Sequence, residues 1–176
     1  MAENLTLIRL AIEHRPLLLS MLEDYQTAGE QFLSQPLLEQ LQTDFAALVQ
    51  QLQSEEADRN LPDGKVPQST LWLMRNSAEL LGRVNLRHRL TPALEHHGGH
   101  IGYCIRPSRR GQGYGTKMLA LALDEARRLG LSKILMTCDV DNLALARGIE
   151  KNGGVLVSQG VSDVSGQLIA RYWIAL

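Results

Sequence analysis

The chain has 176 residues, 44% of them hydrophobic, and a formal net charge of −1. That length suits one domain, residues 1–176, with enough chain to bury a sizeable core. The near-neutral charge excludes a global field that would draw the protein to nucleic acid or to an anionic membrane. Its two cysteines, Cys104 and Cys138, have no CxxC neighbour and no metal-ligand companion at standard spacing. Buried thiols on strands of a reduced, cytoplasmic protein are therefore expected, without a structural disulfide. The first residues carry no basic stretch followed by an apolar one, and no apolar run approaches a membrane span.

Leu5, Leu7 and Arg9 alternate with Thr6, Ile8 and Leu10 as a short strand. Glu13–Thr27 places Leu17, Leu18, Met21, Leu22 and Tyr25 on one helical face, and Gly29 breaks that helix. A second helix starts near Pro36 and carries Leu37, Leu41, Phe45, Leu48 and Leu52 on one stripe. Ser54–Gln68, with Pro62, Asp63-Gly64 and Pro67, is a loop. Thr70–Arg75 and Leu80–Arg89 are strands joined by a hairpin at Asn76-Ser77. Thr91–Gly99 is a loop, and His100–Arg106 a third strand ended by Pro107. Tyr114–Leu129 is the clearest helix, with Met118, Ala122, Ala126 and Leu129 in one stripe and Gly130 at its end. Lys133–Cys138 is a short buried strand, and Asn142–Asn152 a helix closed by Gly153-Gly154. Val155–Ser158 and Leu168–Ile174 are final strands around a Ser165-Gly166 turn. The order β, α, α, β, β, β, α, β, α, β, β makes one α/β domain without linker, repeat or low-complexity segment.

Between the third strand and the clearest helix the chain reads Arg106-Pro-Ser-Arg-Arg-Gly-Gln-Gly-Tyr-Gly-Thr116. Gly111, Gly113 and Gly115 let the backbone bend tightly and approach a ligand closely. The first helical turn offers unpaired amides at the positive end of the dipole, which suits a diphosphate. Arg109, Arg110 and Lys117 add local positive charge, and Thr116 a hydroxyl. A P-loop does not fit, because Lys117 follows Thr116 rather than a glycine. The dinucleotide pattern does not fit either, since it requires glycine at position 116.

The run Arg110-Gly-Gln-Gly-Tyr-Gly115 resembles the R/Q-x-x-G-x-G/A motif of the GNAT superfamily of N-acetyltransferases. Asn142, opening a helix that ends at Gly153-Gly154, resembles the second motif of that family. More narrowly, Arg87-His-Arg, Gly98-Gly-His-Ile-Gly-Tyr, Ile105-Arg-Pro-Ser and Glu150-Lys-Asn-Gly-Gly are similar to a bacterial subgroup of acetyltransferases. The resemblance covers the chain from about Thr70 onward. It implies a single GNAT-like α/β domain, with a mixed, mostly antiparallel sheet flanked by helices and a splayed cleft for coenzyme A. It implies acetyl-CoA as acyl donor and an amine as acceptor, with a homodimer as an analogy from the fold. It implies that amides of Arg110, Gly111, Gln112, Gly113, Tyr114, Gly115 and Thr116 hold the pyrophosphate. Backbone groups of Tyr103, Cys104 and Ile105 would pair with the pantetheine arm, and the same strand would supply an amide that polarises the thioester carbonyl. Asn142 would contact the pantetheine or its thioester end, and asparagine also suits a helix cap there.

Many members of the family place a tyrosine seven residues after the motif asparagine as an acid, where this chain has Ile149. Tyr103 is another candidate donor, and a thiolate is a fair leaving group without one. His88, His96, His97 and His100 cluster in sequence; His100, at the start of the thioester strand, is the candidate general base. Metal-ligand spacing is not evident among them, and no metal is expected. The first two helices and the loops Ser54–Gln68 and Thr91–Gly99 would line the acceptor, with Glu30 and Glu39 able to attract an amine. The alternatives are a module that binds a CoA thioester without turning it over, and an acyltransferase that takes a longer acyl group or an acyl carrier.

Overall fold

The computed structural model describes residues 3–57, 59 and 61–176. Met1 and Ala2 of the N-terminal stretch, and Asp58 and Asn60 of the expected Ser54–Gln68 loop, lie outside the described residues. Strand β1 (Leu5–Ile8) leads through a 3-10 turn into α1 (Arg15–Thr27). The single helix expected after Pro36 is two, α2 (Gln35–Thr43) and α3 (Phe45–Ser54). They part at Asp44, whose φ of −146° is not helical and whose carboxylate accepts from Ala47 N–H at 3.0 Å. An aspartate that caps a new helix ends the old one. The apolar stripe runs through both helices, which hides the break in the sequence.

Strands β2 (Gln68–Arg75) and β3 (Glu79–Arg87) form the expected hairpin. Asn76 and Ser77 both take positive φ, 50° and 54°, the turn whose twist suits two antiparallel strands. Leu73 pairs with Gly82 but Met74 with Leu80, so Leu81 is bulged out. Beyond that bulge Arg83, Asn85 and Arg87 stand opposite Trp72, Thr70 and Gln68 on one face. The expected Thr91–Gly99 loop contains a short helix, α4 (Pro92–His96), capped by the Thr91 hydroxyl. There follow β4 (Ile101–Ile105), α5 (Tyr114–Arg128), β5 (Lys133–Asp139), α6 (Leu143–Lys151), β6 (Val155–Val161) and β7 (Leu168–Ala175).

The strands make two sheets, β1-β2-β3-β4 and β5-β7-β6, and every ladder in them is antiparallel. Met118, Leu119, Ala122 and Ala126 of α5 bury against Leu73, Val84, Leu86 and Ile134 on one side. On the other side Leu18, Met21 and Tyr25 of α1, with Leu41 and Leu48, bury against Trp72, Met74 and Leu80. Each buried leucine or methionine contributes about 1.5–3 kcal/mol from removing apolar surface from water.

The two sheets touch at His100, just before β4. Its N–H donates to Leu135 O at 2.8 Å, and its Nδ1 accepts from Leu135 N–H at 2.9 Å. Beyond that point β4 and β5 share no ladder bond, so a wedge opens between them. Gly99 makes the approach possible: its φ is +60°, and a Cβ there would lie 2.4 Å from Leu135 O.

Candidate active site

The wedge exposes one edge of β4. Arg87 N–H donates to His100 O and Arg106 N–H to Leu81 O, both at 2.8 Å. In an antiparallel pair such bonds alternate along the strand. Gly102 and Cys104 therefore spend their backbone groups on β3, while Tyr103 and Ile105 direct theirs into the wedge. This corrects the expectation for Cys104, whose backbone faces the wrong way to meet a ligand. Ile105 O is already taken by Tyr25 Oη and Arg110 Nε, each at 3.0 Å. The N–H and C=O of Tyr103 and the N–H of Ile105 remain.

At the mouth of the wedge lies the glycine loop. Gly111 and Gly113 take φ of 73° and 81°, and a Cβ on either would meet nothing within 4 Å. These turns aim the N–H groups of Gly111, Gln112, Gly113, Tyr114, Gly115 and Thr116 outward. The first helical bond is Lys117 N–H to Gly113 O, and none of the six preceding amides has an acceptor among the described residues. Arg110 does not belong to this set, because its amide donates to Pro107 O at 3.2 Å. A 3-10 turn over Pro107–Arg109 consumes that donor.

The positive charge expected of this loop is balanced within the chain. Arg110 makes a bidentate pair with Glu30, both contacts at 2.7 Å, which raises the guanidinium pKa and holds the carboxyl low. Arg109 pairs with Glu79 at 2.9 Å and Lys117 with Glu3 at 3.3 Å. An anion here would thus rest on amides and the helix dipole rather than on free cations. Glu30 is likewise unavailable to attract an amine, and Glu39 is an exposed residue of α2 that accepts from Gln35.

Buried ion pairs hold the loop in place. Arg106, 8% exposed, donates to Asp24 Oδ2 at 3.0 Å, to Leu80 O at 3.2 Å and to Ser20 O at 3.1 Å. Asp24 Oδ2 also accepts from the amide and hydroxyl of Ser108, at 3.1 and 2.7 Å. Burial would raise the Asp24 pKa, but the Ser108 and Arg106 bonds outweigh it and lower it. No sequence signal marked Asp24 or Glu79, since both act across long stretches of chain. Asn152 ties the far side, donating to Thr116 O at 3.1 Å and Gly148 O at 2.8 Å.

Asn142 caps α6, its Oδ1 accepting from Leu145 N–H at 3.1 Å. The side chain is on the surface, and its amide nitrogen has no partner among the described residues. Ile149 is fully buried in the core beneath α5. Tyr103 lies across the gap between α5 and α6: a Cβ on Gly115 would come 3.2 Å from its ring, and one on Gly148 3.5 Å from its hydroxyl. Burial pushes the Tyr103 pKa up to about 12.

The four histidines do not form one group. His88 bonds Ser69 Oγ at 2.9 Å, His97 bonds Ser162 Oγ at 2.6 Å, and His96 lies against Arg171 and Asp163. His100 is 7% exposed, and burial lowers its pKa to about 4, with Arg87 adding to the effect. With Nδ1 accepting from Leu135, its proton sits on Nε2. Neither nitrogen is then a free base, and the residue's evident work is to join the sheets. This corrects the reading of His100 as general base.

A parted α/β sheet beside an amide-lined helix start is the architecture of an acetyl-transferring enzyme of the GNAT type. The family model "Acetyltransferase (GNAT) domain" matches residues 4–155, and the chain belongs to that family. Among curated protein sequences none matches significantly. Solved structures share the fold. One is a spermidine N-acetyltransferase, SpeG, as a chimera from Vibrio cholerae and hSSAT, with 19% identity, TM-score 0.63, and 97% of this chain and 95% of that one covered. Another is RimL, a ribosomal L7/L12 alpha-N-protein acetyltransferase in complex with coenzyme A, at 19% identity, TM-score 0.65 and coverage of 98% and 94%. A third is the microcin C7 self immunity acetyltransferase MccE in complex with acetyl-CoA and AMP, at 15% identity, TM-score 0.65 and coverage of 98% and 92%. The chain is an N-acetyltransferase by family. No helix among the described residues is long and apolar enough to cross a membrane.

Proposed function

We propose that the chain takes acetyl-CoA as its donor and transfers acetyl by direct attack of a primary amine of a small molecule or peptide. The observation that carries this reading is the row of six acceptor-less amides from Gly111 to Thr116, set beside the open edge of β4. The amides hold the pyrophosphate. The Ile105 N–H and the Tyr103 C=O pair with the pantetheine, and the Tyr103 N–H, farther from the loop along β4, is the strand amide that polarises the thioester carbonyl. Asn142 caps α6 with its oxygen and offers its amide nitrogen to the same arm. The amine attacks as the neutral base, losing its proton to solvent. Tyr103, held protonated by burial and lying beside α6, is the proton donor to the leaving thiolate in place of the absent tyrosine at 149. The chain works as one domain in the cytoplasm, and a homodimer is checked by light scattering.

The test is calorimetric titration with acetyl-CoA, followed by an amine panel read by free-thiol release. A ligand at about 100 times its Kd should stabilise the protein by about 2.7 kcal/mol. Thiol release with an amine supports transfer. Binding without release on any amine favours a CoA-thioester sensor, and no binding refutes the loop assignment.

A further inference from the structure

On the face of β2 and β3 opposite α5, under α2, α3 and the segment 61–66, lies a cavity of about 520 Å³. That is the size of a small-molecule site. Among the described residues its charged lining is Arg83, Arg87, Lys65 and Glu55, three cations and one acid.

The two arginines are unlike those of the glycine loop. Arg106, Arg109 and Arg110 each face a carboxylate. Arg83 has no hydrogen bond or ion pair among the described residues, and stands 5.7 Å over the Phe32 ring. Arg87 donates through Nη1 to Gly98 O at 3.1 Å and Gly99 O at 2.8 Å, and has no acidic partner among the described residues. Burial without a counter-charge lowers its pKa. Glu55 is occupied by the side-chain amides of Gln51 and Gln68, at 3.2 and 3.0 Å.

Trp72 and Asn85 also line the cavity, though their Nε1 and Oδ1 are closed off from its open space and have no partner among the described residues. The guanidinium groups of Arg83 and Arg87 need acceptors. Arg83 and Asn85 pair directly with Cys104 and Gly102 of β4, about 4.8 Å away across the sheet. A Cβ on Gly102 would meet nothing within 4 Å, so the way toward the β4 edge is open.

We propose that this cavity is the acceptor site and that it takes the head group of an amino acid, a primary amine with a carboxylate beside it, rather than a polyamine. The proposal rests on the transferase reading above. The carboxylate meets Arg83 and Arg87, and the amine lies beside Asn85, toward its partner Gly102 on β4, where it faces the thioester. The nitrogen lone pair forms the N–C bond, the C–S bond breaks, one amine proton goes to solvent, and the thiolate takes a proton to leave as CoA thiol. The product is an N-acetyl amino acid.

The test compares the L-amino acids with their α-amides and with spermidine, by free-thiol release at saturating acetyl-CoA. For at least one amino acid, kcat/KM should exceed that of its amide and that of spermidine by at least about tenfold, the weight of a bidentate arginine–carboxylate contact. Arg83→Gln should bring that preference to about twofold or less, chiefly through KM, and Arg83→Lys should recover part of it. Acetyl-CoA affinity, measured separately by calorimetry, should stay unchanged in both variants, which shows that they fold. Equal rates on acid and amide, a preference for spermidine, or no turnover of any amino acid overturns the proposal even if acetyl-CoA binds. Loss of acetyl-CoA binding in the unmodified protein overturns the transferase reading itself, and the proposal with it.

Discussion

Lowering the pH should weaken the joint between the two sheets. The His100 ring accepts from Leu135 N–H only while Nδ1 is unprotonated. Burial lowers its pKa from 6.5 to about 4, so the unfolded chain binds that proton more readily than the folded one. Stability is therefore full above pH 6.5, declines as the pH falls toward 4, and levels off below. With those two values, His100 alone removes about 2 kcal/mol between pH 7 and pH 5, and about 3 kcal/mol below pH 4. For a chain of this size 1 kcal/mol corresponds to about 2–4 °C in Tm. The assay is urea unfolding at pH 7 and pH 5 on the unmodified protein, His100→Asn and His100→Leu. Asparagine keeps an acceptor for Leu135 N–H but does not titrate, so about 2 kcal/mol of the pH effect should vanish. Burial also lowers the His88 pKa, and that contribution cancels in the comparison. Leucine leaves a buried N–H unpaired and should cost about 1–3 kcal/mol at pH 7. An unchanged pH response in His100→Asn would refute the joint. A fall in kcat in that variant, with full stability and normal acetyl-CoA affinity, would restore His100 as the base.

Gly113→Glu should weaken acetyl-CoA binding by at least about tenfold by calorimetry, because it sets a carboxylate among amides poised for an anion and strains a residue at φ 81°. Asn142→Ala should lose the cap at Leu145 and about 1 kcal/mol of stability, whereas Asn142→Ser keeps it. If the side-chain amide serves the pantetheine, both weaken acetyl-CoA binding; if only the cap matters, the serine variant binds normally. Tyr103→Phe should lower kcat by roughly tenfold and leave acetyl-CoA affinity alone. An unaffected kcat would leave the thiolate departing without a donor from β4.

The helix Tyr114–Arg128 and the glycine loop before it were legible from residues close in the chain. Apolar spacing of 3.6 residues defines a helix face wherever it packs, and three alternating glycines define a flexible approach to its first turn. The same local logic placed the Asn76-Ser77 hairpin and the Asn142 cap. The break at Asp44 was harder, since one aspartate in a continuous stripe can be a surface residue or a cap.

What the sequence could not decide was the use each side chain makes of distant partners. Arg109, Arg110 and Lys117 are cations in any reading, but only the fold brings Glu79, Glu30 and Glu3 to neutralise them. His100 is a titrating group in the sequence and a structural acceptor in the protein, because Leu135 arrives from another sheet. Arg83, Asn85 and Arg87 alternate visibly with Val84 and Leu86, so a polar strand face was determined by the sequence. Whether that face met water, a helix or a cavity was not, because the answer lies with α2, α3 and the segment 61–66 that fold over it. Local periodicity is set by backbone geometry, and charge and hydrogen-bond pairing by which surfaces the finished fold brings within about 3 Å.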